Sequence, residues 1–264
     1  MKIAVFTSNQ PRHIALIEAM AKVADEVYAV QECNTIFPGL INDFYRKSDV
    51  MQRYFARVMA AEATVFGRPR FLSGNVAHIA IKDGDLNRMD LSLLAPALEA
   101  DVFIVFGASY IKGALCDFLV EHRAYNIHMG TSPYYRGNSC NFWALSDRRP
   151  DYVGATIHLL SKGLDSGPML FHALPGDDAV DGFLLGMKAV RAAHDGLLHY
   201  LGSGQLGKMT PTTQDRSLEY RYTRNVDFTD EAADAYLANE LSPLEISAAI
   251  RARKTGRFLN PFIG

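Results

Sequence analysis

"DVFIVFGA", residues 101–108, is the most apolar run in the chain, and its reading decides the fold. An unbroken apolar run with no polar alternation predicts a central strand buried on both faces, as in a parallel sheet covered by helices on each side. Working outward, "KIAVFTS" (2–8), "EVYAVQE" (26–32) and "VAHIAIK" (76–82) read as strands before it, and "AYNIHM" (124–129) as the strand after it. Between them lie segments of helical period. Pro11 opens one over 12–25, residues 41–66 suit a long amphipathic helix, and 91–99 and 112–122 read as shorter ones. Residues 139–147 look helical. "GATIHLLS" (154–161) and "MLFHALP" (169–175) follow as strands separated by the turn "KGLDSGP", and 181–203 reads as a closing helix. Strands alternating with helices predict an α/β fold with a largely parallel sheet. The polar, turn-rich stretch 205–264, with one short helix in "SPLEISAAIRARK", reads as a small C-terminal extension beside a main domain of residues 1–204.

Composition bounds the function. The 264 residues are 48% hydrophobic and 21% charged, with a net charge of −2, which gives no general reason to bind nucleic acid or an anionic membrane. Cys33, Cys116 and Cys140 are too few and too scattered for a disulfide framework, so a reducing compartment is the natural reading. No stretch approaches the roughly 20 apolar residues of a membrane span. The opening "MKIAVFTSNQPRH" lacks the flanks of a signal peptide, and a cytoplasmic location is expected.

Ligands of open parallel sheets sit outside the carboxyl ends of the strands. Polar clusters fall at three such ends: Ser8-Asn9-Gln10-Pro11-Arg12-His13, Gly107-Ala108-Ser109-Tyr110, and Asn126-Ile127-His128. The first strand is not followed by G-x-G-x-x-G, and no G-x-x-x-x-G-K-[ST] occurs, which argues against dinucleotide and P-loop enzymes. The loop 8–13 suits an anion at a helix start, with Arg12 adding charge, although Asn9 as a simple helix cap fits equally well. Asn126 and His128 flank Ile127, so on a strand they share one face and can act on one carbonyl. A histidine merely satisfied at a strand end is the plain alternative. Asp165, in "SKGLDSGPML", either caps its own tight turn or orients a histidine. No pair among His122, His128, His158, Cys116 and Cys140 shows metal-ligand spacing, and no metal is expected. His158 and His172 read as structural, Phe142, Trp143 and Leu145 as core, and Arg251, Arg253 and Lys254 as a solvated helix face.

Two longer motifs carry a resemblance. "NIHMGTSPYYRG" (126–137) resembles the N-I-H-P-…-P-x-Y-R-G loop of the N10-formyltetrahydrofolate-dependent formyltransferases, and "GATIHLLSKGLDSGPML" (154–170) resembles their G-x-T-I-H-…-G-x-D-x-G-P-I-L segment. The resemblance implies a Rossmann-like formyltransferase fold and matches Asn126, His128 and Asp165 to the family's catalytic trio. An acceptor amine would attack the formyl carbon, with Asn126 and His128 stabilising the oxyanion. Asp165 would orient His128 and assist removal of the amine proton, directly or through water, with either His128 or Asp165 as the group that handles it. Gly107, Ser109, Tyr110, Ile111 and Lys112, with Gly163, match the segments that would hold the folate. The pattern departs at Met129, where the family has proline, and at Gly130-Thr131-Ser132, where Ser-Leu-Leu is common.

The acceptor follows by comparison within the family. Methionyl-tRNA formyltransferases add a domain of about a hundred residues, an ordinary domain size, that helps hold tRNA. Here the stretch after position 204 carries eight Lys and Arg against eight Asp and Glu, a poor phosphate-backbone binder. Glycinamide ribonucleotide transformylases carry a glycine-rich loop after the first strand, where this chain has Ser8-Asn9-Gln10-Pro11-Arg12. The deformylases carry a regulatory domain before the core. The branch that formylates sugar nucleotides, as in O-antigen biosynthesis, remains. It implies a nucleotide-linked amino sugar as partner, a homodimer, and anion or sugar contacts at Ser8, Asn9, Arg12, His13, Tyr135 and Arg136. A formyltransferase acting on a non-sugar amine such as a hydroxylated ornithine is the alternative, followed by a non-catalytic relative of the fold.

Overall fold

Alternation along the first strand, β1 (Lys2–Ser8), sends Ile3 and Val5 to one core and Ala4 and Phe6 to another. The structure, a computed structural model, describes residues 1–33, 48–68 and 70–264. Its main sheet also contains β2 (Glu26–Cys33), β3 (Val76–Lys82), β4 (Val102–Phe106) and β5 (Tyr125–His128), all parallel to β1. A short β6 (Tyr135–Gly137) lies outside it. Beyond β5 run β7 (Ala155–Leu159), antiparallel to both of its neighbours, and β8 (Met169–Leu174). The spatial order from the far edge is β3, β2, β1, β4, β5, β7, β8.

One face of the sheet is covered by α1 (Pro11–Ala21) and α6 (Gly182–Gly202), whose Leu16, Ile17, Met20, Val190 and Leu197 join Ile3, Val5, Val27 and Ile104. The helix α2 (Asp49–Phe66) packs against α6 on that side through Phe66. The other face is covered by the single turn α3 (Ala95–Leu98) and by α4 (Gly113–Glu121). Leu115 and Leu119 of α4 meet Ala4, Phe6, Phe103 and Val105 there. The fold is therefore the doubly covered, mostly parallel α/β sheet that the alternation predicts.

Boundaries differ where capping decides them. The helix expected over 41–66 starts at Asp49, capped by the Ser48 hydroxyl, while 41–47 lie outside the described residues. The segment 91–99 is a 3₁₀ turn (Leu91–Leu94) followed by α3, since Asp90 caps the first turn and Pro96 donates no backbone bond to extend it. The helix expected over 139–147 is α5 (Cys140–Ser146).

The C-terminal stretch holds more structure than the sequence suggests. The expected short helix is α8 (Pro243–Arg251), opened by a Ser242–Glu245 capping box. A further helix, α7 (Asp230–Ala238), precedes it, β9 (Arg221–Thr223) pairs with β6, and β10 (Phe262–Ile263) extends the main sheet beside β8. Tyr236, Ile246, Ile250 and Phe258 bury into one cluster with Phe142, Trp143, Tyr152 and Phe183. Arg253 corrects an expectation. Arg251 and Lys254 face solvent, but Arg253 is buried and donates to the Pro175 carbonyl at 3.1 Å.

Candidate active site

The carboxyl ends of β1, β4 and β5 lie side by side, and the chain departs to opposite sides of the sheet at β1 and β4. Such a switch point leaves a crevice above the strand ends. A cleft of about 310 Å³ opens there. Gly107, Ser109, Tyr110 and Ile111 line one wall; Asn126, His128, Gly163 and Asp165 line it from the strand end and the turn after β7.

The antiparallel register of β5 and β7 sets Asn126 opposite His158 and His128 opposite Thr156. Asp165 then reaches back from its turn at φ 45°, in the left-handed region that Asp tolerates better than most residues. Its Oδ2 stands 3.2 Å from His128 Nδ1, and its Oδ1 accepts from Asn126 Nδ2 at 3.1 Å. Asn126 Nδ2 also donates to His158 Nε2 at 3.0 Å. His158 Nδ1 faces the Leu159 carbonyl at 2.8 Å, which only a ring N–H can satisfy, so its Nε2 is the acceptor. Both amide hydrogens of Asn126 are thus engaged. On the far side of the His128 ring, Nε2 lies 3.5 Å from Cys140 Sγ.

Burial would raise the Asp165 carboxyl, but His128 holds it well below the usual carboxylate range. Burial would likewise lower His128. The Asp165 carboxylate, and then Cys140, outweigh it and hold the imidazole well above its ordinary value. The pair is a carboxylate beside a proton-holding imidazole.

The folate-loop residues are fixed from behind by Glu32, a buried carboxylate at the end of β2 that the sequence reading passed over. It accepts from the Ser109 N–H at 2.6 Å, the Ser109 hydroxyl at 2.9 Å and the Gly84 N–H at 2.9 Å. Tyr110 donates to the Lys162 carbonyl, bridging the loop to the Asp165 turn. Lys112 is not part of the cleft wall: its N–H donates to Asn87 Oδ1 at 2.6 Å and its ammonium lies 5.1 Å from the Tyr110 ring centre. Gln214, from the C-terminal stretch, donates to the Asp165 and Gly167 carbonyls at 2.8 and 3.0 Å and so clamps the turn. Nothing in the local sequence marks Glu32 or Gln214. His158 could have been found from the register alone.

The residues expected to contact an anion or a sugar separate. His13 is buried, its Nδ1 2.7 Å from the Thr7 hydroxyl, which gives its own proton to the Phe106 carbonyl. Burial holds its ring well below the ordinary histidine value, and a Cβ at Gly107 would come within 2.3 Å of it. Its placement supports a packing role beneath the Gly107 turn rather than an anion contact. Ser8 and Asn9 are buried beside it. Arg12 donates through its backbone and guanidinium to Glu62 Oε1 at 3.1 and 2.8 Å and borders a cavity of about 240 Å³ with Tyr54, Met129, Phe142 and Phe183. Tyr135 is buried against Asp147 at 3.2 Å, turned away from the cleft, which speaks against substrate contact. Arg136 pairs with Glu219 at 2.8 Å and borders a cavity of about 380 Å³ with Arg216, Tyr222, Gly163 and Leu164. Among the described residues, no group of three or more His, Cys, Asp or Glu side chains could hold a metal ion, and no helix is long and apolar enough to cross a membrane.

No protein-family model matches the sequence. Over 133 residues the chain is 30% identical to a methionyl-tRNA formyltransferase of Synechococcus sp. (strain JA-3-3Ab), a match spanning 49% of this chain and 41% of the relative. A second such enzyme, from strain JA-2-3B'a(2-13), is 29% identical over the same share. The chain thus spans less than half the length of these curated relatives. Among solved structures, a 4-N formyltransferase from Francisella tularensis superposes with a TM-score of 0.51 at 17% identity, covering 89% of this chain and 86% of that one. A sugar 3N-formyltransferase solved with dTDP and 5-N-formyl-THF superposes at 0.50 with 14% identity, covering 98% and 82%. The phosphoribosylglycinamide formyltransferase of Anaplasma phagocytophilum does so at 0.50 with 16% identity, covering 81% and 93%. These likenesses establish the formyltransferase fold.

Proposed function

We propose that this chain, built on the formyltransferase fold, transfers a formyl group from N10-formyltetrahydrofolate to the primary amine of a nucleotide-linked amino sugar. The carrying observation is the closed arrangement of Asn126, His128 and Asp165 at the strand end of a cleft whose other wall is the 107–111 loop. In this reading the pterin lies against Gly107, Ser109, Tyr110 and Ile111, with Gly163 opposite. The amine attacks the formyl carbon and gives up a proton, the bond from that carbon to N10 breaks, and N10 leaves with that proton returned to it by way of Asp165 or water. As charge grows on the formyl oxygen, Asn126 exchanges one of its two engaged N–H bonds for that oxygen. Such an exchange is ordinary for a site whose ligand-free hydrogen bonds differ from those of the reacting complex. His128, kept protonated by its partner, supplies the neighbouring positive charge. Asp165 takes the amine proton directly or through water.

The acceptor reading draws on the similar folds described as 4-N and sugar 3N-formyltransferases. It also draws on the cavity beside Gly163 and Leu164, where Arg136 and Arg216 suit a pyrophosphate and the Tyr222 face suits a base. Arg136, Arg216 and Tyr222 are the proposed nucleotide contacts there, with Arg12 on the opposite flank. The balanced charge of residues 205–264 supports a small acceptor over tRNA.

Folate turnover followed by absorbance, with 3-amino and 4-amino sugars linked to dTDP, UDP and GDP, tests the reading beside His128→Ala. Turnover on one nucleotide sugar, abolished in the variant, is the expected result. Silence across the panel with folate still bound would redirect the acceptor to a non-sugar amine, and no folate binding would sink the formyl-transfer reading.

A further inference from the structure

The His128 ring is held at both nitrogens, and only one of its partners belongs to the trio. Cys140, the first residue of α5, is 1% exposed, with Sγ 3.5 Å from His128 Nε2 and 3.4 Å from the Gly137 carbonyl oxygen. Space for that thiol exists only because residue 130 has no side chain. A Cβ at Gly130 would come within 2.5 Å of Cys140 Cβ, 2.8 Å of His128 Nε2 and 2.9 Å of Cys140 Sγ. Gly130 is one of the positions where this sequence departs from the formyltransferase pattern, and the clash gives that departure a physical reason.

We propose that Cys140 is a positioning residue for His128, extending the Asp165–His128 pair into a chain that ends on the Gly137 carbonyl, and that Gly130 is what admits it. The inference rests on the reading of His128 as a group that works on the formyl carbonyl.

The proton count closes in both states of the ring. With His128 protonated, Nδ1–H goes to Asp165, Nε2–H goes to the Cys140 sulfur, and the thiol hydrogen goes to the Gly137 carbonyl. When Nε2 gives up its proton, the thiol hydrogen turns from Gly137 to Nε2. The ring keeps its place through the change, because one rotor serves as acceptor and then as donor. The ionisable groups facing the ring are Asp165 from the turn after β7 and Cys140 from α5, and His158 of β7 reaches the same carboxylate at 3.9 Å.

Alanine at 140 would leave the buried Nε2–H with no partner in the protonated state. Serine would not replace it, since the shorter C–O bond leaves its hydroxyl beyond a normal O–H···N distance. The unpaired donor disfavours the protonated ring by about one pH unit.

The test is imidazole 15N spectra of the ligand-free protein, titrated with pH, for wild type, Cys140→Ala, Cys140→Ser and Gly130→Ala. The expected result is a His128 midpoint lowered by about one unit in each folded variant. Cys140→Ser keeps the size of the side chain and reads the contact if Cys140→Ala fails to fold; Gly130→Ala, whose Cβ would also press on His128 Nε2, is read beside them. In turnover assayed above the His128 midpoint, kcat should fall about tenfold, one pH unit's worth, with the folate KM unchanged. A His128 midpoint that stays put in any folded variant would reduce Cys140 to packing and overturn the proposal. Formyl transfer absent from wild type would instead sink the functional reading and leave the spectroscopic result standing.

Discussion

The smallest unit that decides the chemistry is the contact between Asp165 and His128. Two buried groups that ionise in opposite directions stabilise each other only as a pair, and removing one leaves the other charged and poorly solvated. The Asp165 carboxyl is depressed in the folded state, so its contribution is present above its ordinary value of 3.8 and is lost as pH falls through its folded value. His128 is raised, so its contribution is full below its ordinary value of 6.5 and is lost as pH rises through its folded value. The two windows overlap between about pH 4 and 6.5. Thermal melts of wild type and Asp165→Asn from pH 4 to pH 9 should therefore differ most in that window. There we expect a loss of about 3 kcal/mol, at the low end for a broken buried pair because the amide oxygen still accepts Nδ1–H. The gap should narrow towards alkaline pH. A difference that grows steadily with pH would show that the histidine is neutral in the native protein.

Elements place these residues, some through features of the local chain and others through distant contacts. Alternation along one strand displays the shared face of Asn126 and His128, the motif resemblance ties Asp165 to them, and the antiparallel register of β5 and β7 that closes the trio belongs to the fold. Glu32 and Gln214 act across 77 and 49 residues of sequence separation, through contacts that no periodicity encodes. Both should matter. Glu32→Gln keeps the size but removes charge from three hydrogen bonds that fix the 107–111 loop, so the folate KM should rise roughly tenfold, with kcat nearly unchanged. Gln214→Ala should do the reverse. Two bonds to the Asp165 turn are lost, kcat should fall roughly tenfold, and folate binding should hold, with a stability loss of about 2 kcal/mol. Equal effects of both substitutions on KM and kcat would mean that the two walls of the cleft do not act separately. His13 and Tyr135 show the same limit: each sits beside a polar loop in sequence, yet its side chain turns into the core, and only packing decides which way a loop residue faces.

At the scale of the molecule, charge counting and turn content describe residues 205–264 as an extension, and burial ties that extension to the core through a few large side chains. The sequence under-reads this segment because its strands are two and three residues long, too short for alternation to register, and α7 buries only Ala233 and Tyr236. Yet Tyr236, Ile246, Ile250 and Phe258 fill the same aromatic cluster as Phe142, Trp143 and Phe183, whose other side leans on the cleft through α5. Each large side chain removed from such a cluster costs about 2–5 kcal/mol, so the loss of all four is of the same size as the stability of an ordinary domain. A chain ending at Gly204 would also lose the Gln214 clamp, the bridge between Met169 and Thr212, and the edge strand β10 beside β8. It should therefore show no cooperative thermal transition and elute as aggregate, while Phe258→Ala in the full chain should still melt cooperatively at a lower temperature. A truncated chain that melts sharply and still binds folate would mean that residues 1–204 form a unit of their own and that the aromatic cluster merely rests upon it.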